Sequence, residues 1–209
     1  AWDRFFADTK IENAQDLSVL DARIRTTLRQ HSIHATQAQE AGDAEKAIAS
    51  FGQSRDLIAA ALRAGHARPW MYQAYAITLQ ATGAPSEQIE RTLLSAVDFA
   101  ETPEDLLHVA ARLEEVGSPV AALELCKKVA LIDPYRREPY VMGLRIAQKL
   151  KDIDGLAWAC SGVLSQAWPE KFQPIVEEAR LVARATHSDL VAAKKTEEAK
   201  KFSDALRLA

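Results

Sequence analysis

From Pro103 to Pro139 the apolar positions fall into two groups. Leu106, Leu107, Val109, Ala110, Leu113 and Val116 recur at i, i+3, i+4 and i+7, and Ala122, Leu123, Cys126, Val129 and Ala130 repeat the pattern. That spacing puts each group on one face of a helix, so the stretch predicts two amphipathic helices. Gly117-Ser118-Pro119 predicts the corner between them. Gly117 can close the first helix in the left-handed conformation, Ser118 can cap the second, and Pro119 suits its first turn.

The device returns along the chain. "LQATGAP" at 79–85 and "LEEVGSP" at 113–119 lie 34 residues apart, so Gly83-Ala84-Pro85 predicts a second corner. Pro69, Pro103, Pro139 and Pro174 are separated by 34, 36 and 35 residues, each at the head of an amphipathic run. A shared period of this length predicts stacked helical hairpins.

The ends depart from the middle. Leu17, Leu20, Ile24 and Leu28 start a long helix predicted to reach Ala41, and Ala47, Ile48, Phe51, Ile58 and Leu62 form its partner. Trp2, Phe5 and Phe6 share one face of a short first helix. It either docks on that hairpin or belongs to a preceding repeat. Residues 170–209 predict a last hairpin turning near His187-Ser188. Its closing helix has a thin apolar stripe of Leu190, Ala193, Phe202 and Leu206. A polar-faced terminal helix is what a stacked array needs to end in water.

The hairpin period resembles the tetratricopeptide repeat (TPR), best over residues 69–169. Gly117, Ala122, Cys126 and Pro134 stand where that family places its turn glycine, small and larger second-helix residues and closing proline. Gly42-Asp43 with Ala47 and Phe51 carries the half-motif earlier, and Trp70 and Tyr140 echo the aromatic start of the first helix. Two features depart from the pattern. Lys151 replaces the turn glycine in "KDIDG", leaving Asp152 or Asp154 as the cap, and Gly42 to Gly83 spans 41 residues. The resemblance implies an all-α fold: an α-solenoid of four to five antiparallel helical hairpins, wound as a TPR-like right-handed superhelix, without strands. The expected organisation is 1–68 as an N-terminal segment and long hairpin packed on the array, 69–169 as TPR-like repeats, and 170–209 as a C-terminal hairpin with a capping helix.

Composition agrees with helices, being rich in Ala, Leu, Glu, Lys, Gln and Arg. A net charge of −3 gives no basis for nucleic-acid binding. Its distribution is uneven, with a balance of −6 over 69–120 and +3 over 121–209. No apolar run approaches the roughly 20 residues that span a bilayer. A soluble chain without membrane insertion is therefore expected, with the cytoplasm favoured. It opens on "AWDRFF" without Met, as a processed protein or a piece of a longer or exported one would.

Candidate chemistry is sparse. Cys126 and Cys160 are 34 residues apart on apolar faces, which excludes a CxxC pair and favours two buried small hydrophobes over a disulfide. His31 and His34 are three apart, but no Cys, Asp or Glu sits one turn further on the same face. There is no GxSxG elbow and no Gly-rich phosphate loop. Glu114-Glu115 and Glu177-Glu178 are adjacent and splay apart on a helix. No catalytic, cofactor or metal residues are predicted, and no cofactor; the chain is not expected to be an enzyme.

By resemblance to the family, a ligand lies along a concave face lined by the first helix of each repeat. Mapping gives Trp70, Gln73, Glu104, Leu107, Glu114, Glu115, Val141, Arg145 and Lys149 as candidate partner-binding residues, with Trp70 equally placed as inter-hairpin core. The family's clamp for a C-terminal carboxylate is absent, since its positions are held by Gln73/Ile77, Leu107/Ala111 and Val141/Arg145. The expected groove changes sign along its length, fitting a partner that is basic toward the first repeats and acidic or polar toward the fourth, with an apolar anchor near Leu107 and Val141. A non-catalytic protein-interaction scaffold holding a peptide or partner helix is the preferred function. The alternative is a structural or oligomerisation module of a larger multidomain protein, with self-association open.

Overall fold

Prolines and glycines mark where the helices begin and turn. The computed structural model describes residues 2–207. Among these are eleven α-helices, one short 3-10 turn at Glu170–Phe172 and no strand. The chain divides after Ala100 into two compact units.

The first unit holds α1 (Trp2–Asp8), α2 (Ala14–Glu40), α3 (Ala44–Arg63), α4 (Pro69–Ala81) and α5 (Ser86–Val97). The long hairpin α2/α3 turns at Gly42, whose φ of +74° is left-handed, and Asp43 caps α3 by accepting from the Lys46 N–H. The helix α1 docks on α3 and buries Phe6 among Leu20, Ile24, Leu57 and Ile58. One expected core position does not hold: Ile48 is 52% exposed, and the buried face of α3 runs instead through Ala47, Ser50, Ser54, Leu57 and Ile58. Small side chains are buried on both helices of this hairpin, Ser50 and Ser54 on α3 and Ala35 and Ala38 on α2. Ser50 satisfies its own hydroxyl on the Lys46 carbonyl.

The second unit holds α6 (Pro103–Glu115), α7 (Pro119–Ile132), α8 (Glu138–Leu150), α9 (Ile153–Leu164), α10 (Gln173–Ala192) and α11 (Thr196–Arg207). Its hairpins are α6/α7, α8/α9 and α10/α11, and α7 also packs on α8 and α9 on α10. With α2/α3 and α4/α5 this gives five hairpins among the described residues, the expected all-α architecture of antiparallel helical hairpins.

All three corners of the second unit use one backbone device. At the first, the N–H of Ser118 reaches back to the Leu113 carbonyl at 2.8 Å and that of Gly117 to Glu114, with Gly117 at φ +87°. These bonds satisfy carbonyls at the helix end that have no partner within the helix. The Ser118 hydroxyl caps nothing, contrary to expectation. At the second corner Lys151 itself is left-handed at φ 55°, and Asp152 is the cap, accepting from the Asp154 N–H. The third corner lies at Ala193–Lys195, with Lys194 at φ 59°. It is not at His187-Ser188, which are inside α10. That helix runs 20 residues where α6 and α8 run 13, so the period no longer locates its end.

Gly117→Val is expected to destabilise the second unit by roughly 1–2 kcal/mol, because a β-branched residue resists positive φ. Space is not the reason, since a Cβ on Gly117 would meet nothing within 4 Å. Lys151→Gly should act in the opposite direction by about 0.5–1 kcal/mol. Urea unfolding followed by circular dichroism reads both, and an unchanged midpoint for Gly117→Val would contradict the assigned corner geometry.

Two further glycines shape the packing of α8 on α9. A Cβ on Gly143 would overlap the Trp158 ring, and one on Gly162 would overlap Tyr140. The two rings meet at 5.2 Å, and the Tyr140 hydroxyl donates to the Pro134 carbonyl at 3.1 Å. The α7–α8 connection is thus tied to the start of α8. That connection carries the arginines described next.

Candidate functional site

Helix α8 begins with Tyr135, Arg136 and Arg137 just before it, and Glu138 as its first residue. Across from its first two turns lies the α9–α10 connection. Trp168 there is fixed by donating its indole N–H to the Val163 carbonyl at 2.7 Å, and the Phe172 ring stands edge-on to it at 5.9 Å. Between the two is a cleft of about 460 Å³. Val141 and Met142 of α8 form one wall, and Trp168, Phe172 and Ile175 form the other. The volume lies within the ordinary range for a small-ligand or side-chain pocket.

The rim is basic, and its charges are unequally matched. Arg136 pairs with Glu104 at 2.7 Å and lies 3.5 Å from Glu138. The Arg136 hydrogen bond holds the Glu104 carboxyl below its usual range. Arg145 and Lys149, one turn apart on α8, both close on Glu114 of α6 at 2.5 Å. The Glu114 side chain is only 10% exposed. Burial pushes its carboxyl up, but the bonds from Lys149 and Arg145 outweigh this and hold it below the usual range. Arg137 differs from both. Its guanidinium lies 5.3 Å from the Trp168 ring centroid and donates to the Ala167 carbonyl at 2.8 Å. Its Nε, like that of Arg136, is shielded from water with no hydrogen-bond partner. No carboxylate pairs with Arg137 among the described residues.

The residues expected on an inner face are therefore distributed as follows. Val141 and Arg145 line the cleft. Glu104 sits at the head of α6, bound to Arg136, while Glu114 and Lys149 are bound to each other. Glu115 pairs along its own helix with Arg112. Leu107, at 8% exposure, is part of the core. In the first unit, Trp70 is half-buried against the core, donates its N–H to Asp21 at 2.9 Å, and carries the Arg25 guanidinium 4.1 Å over its ring. Gln73 is half-buried on α4. Sequence reasoning did not single out Arg137, Met142, Trp168, Phe172 or Ile175. The available signal was "WPEKF" at 168–172, two aromatics around a proline in a connection.

Chemistry beyond binding has little to build on. Cys126 and Cys160 are buried and unbridged. Burial pushes both thiols up to about 12, so neither is a nucleophile near neutral pH. Burial and the neighbouring His34 hold His31 below its usual value. Among the described residues no three His, Cys, Asp or Glu side chains are grouped to hold a metal ion. No helix among them is long and apolar enough to cross a membrane.

Fold and cleft together define a helical-repeat protein with an open apolar cleft under a basic rim. No family model matches the chain, and no curated protein matches it. Among solved structures it is similar to a crystal structure of the MamA protein, at 14% identity over 87% of this chain and 91% of that one, with a TM-score of 0.43. At that distance nothing about MamA is carried to this chain.

Proposed function

We propose that the protein is a non-catalytic interaction module, and that its second unit seats a segment of a partner protein in the cleft between α8 and the α9–α10 connection. The observation that carries this is the apolar wall of Val141, Met142, Trp168, Phe172 and Ile175, which no side chain among the described residues fills. Interface energy concentrates in a few apolar or aromatic anchors held in such pockets and surrounded by a polar rim. Both walls are anchored, because Trp168 and the start of α8 are each tied to backbone carbonyls. A partner therefore meets a formed site and orders little of it on binding.

Selection from a displayed random-peptide library on the full chain tests this. Met142→Glu and Ile175→Glu, on opposite walls, serve as comparison chains after their helicity is checked. Binders of the unaltered protein are expected to lose tenfold or more in affinity for both variants. Binders insensitive to both, or a selection that enriches nothing, would remove the cleft from the interface.

A further inference from the structure

Resting on that interaction reading, the geometry points to the chemistry of the segment: we infer that the cleft takes an apolar side chain flanked by acidic side chains, the acid being received by Arg137. Three guanidiniums stand at the cleft, those of Arg136, Arg137 and Arg145, against the single carboxylate of Glu138. Arg136 is matched by Glu104 and Glu138, and Arg145 by Glu114. Lys149 shares Glu114 with Arg145, and Arg137 alone of the three guanidiniums has no carboxylate partner among the described residues. It is held in place by the Ala167 carbonyl and the Trp168 ring, while its Nε–H is withdrawn from water without an acceptor. A planar guanidinium offers two parallel donors that match a carboxylate, and one already fixed loses little freedom in making the pair.

The apolar anchor follows from the floor. Met142 offers an adaptable, polarizable surface and the Trp168 and Phe172 rings offer flat apolar ones, together suited to Leu, Met or Phe. A basic partner segment is disfavoured, because its charge would meet Arg137 and be left unpaired beside an apolar wall. Glu138, 3.5 Å from Arg136, is the one carboxylate of the cleft lining set against three guanidiniums.

The test uses N-acetylated, C-amidated dodecapeptides with a central Phe-Leu pair, flanked by Glu, by Gln or by Lys, titrated against the full chain by fluorescence anisotropy. Glu-flanked peptides are expected to bind at least tenfold tighter than Lys-flanked ones, with Gln-flanked ones between. Arg137→Gln should bring the Glu-flanked set to within about twofold of the Gln-flanked set, read as the ratio of the two within that variant. Met142→Glu should abolish both. Equal binding of the Glu and Lys sets, or a Glu preference that survives Arg137→Gln, would overturn the inference while leaving the cleft as a site. Absence of binding by every set, or binding untouched by Met142→Glu, would overturn the interaction reading as well. A fourth arm leaves the Gln-flanked peptide with a free C-terminus. A gain confined to that arm would assign Arg137 to a terminal carboxylate and overturn the side-chain reading.

Discussion

Phe202→Ala is expected to destabilise the second unit by about 3–5 kcal/mol, the range for deleting a fully buried aromatic ring. Phe202 is 0% exposed and heads the chain's largest fully buried side chains. It sits on α11 between Ala199 and Ala205, which are also buried, and α11 packs on α9 and α10. Apart from Leu206, the rest of this helix is polar or charged. Twelve residues of such a sequence are marginal as an isolated helix, so tertiary packing must hold α11 in place. Alanine neighbours leave little with which to refill the space. Leu206→Ala, at a half-buried position one turn on, should cost about 1 kcal/mol or less. Urea midpoints give the energies, and amide exchange confined to α11 shows where the loss falls. A Phe202→Ala midpoint close to the parent would mean that α11 does not close the array.

Glu114→Lys should be the most damaging charge change, at about 2–3 kcal/mol. Removing one partner of a buried pair costs about 3–5 kcal/mol, discounted here because Arg145 and Lys149 are 59% and 60% exposed. The variant leaves three cations facing one another. Glu114→Gln should cost less, about 1–2 kcal/mol, since the amide still accepts one bond. The folded carboxyl titrates below its unfolded value. Its contribution is therefore present above the ordinary glutamate range and lost as pH falls through the folded value. Unfolding midpoints of the parent should drop on acidification, and those of Glu114→Gln should drop less. Parallel pH profiles would show that this cluster contributes nothing to acid sensitivity.

How much of this was legible in the sequence differs from place to place. Gly42, Gly83 and Gly117 announced their corners because positive φ is cheap only for glycine, and all three take it. Lys151 and Lys194 adopt the same conformation without that chemical mark. Flanking prolines and a cap still betrayed the first of these. Nothing local betrayed the second, so the last corner was expected six residues early. The resemblance to the repeat family named the faces carrying Glu104, Glu114, Arg145 and Lys149, but a face does not reveal that its charges bind one another across α6 and α8. Trp168 and Phe172 escaped for a different reason. Hydrophobic periodicity is a property of helices, and they flank a connection whose conformation is set by one indole bond and a ring contact.

Cys126 on α7 and Cys160 on α9 have a practical use that follows from their burial. Both lie in the second unit, both are shut from solvent, and both hold their protons far above neutrality. The first unit has no cysteine at all. An alkylating reagent thus finds no thiolate until α7 or α9 moves off its neighbours. Labelling at Cys126 then times the opening of one hairpin, and labelling at Cys160 times the next. The chain carries two clocks, both set in the half that holds the cleft, so partner binding can be followed as a slowing of their rates without adding any probe.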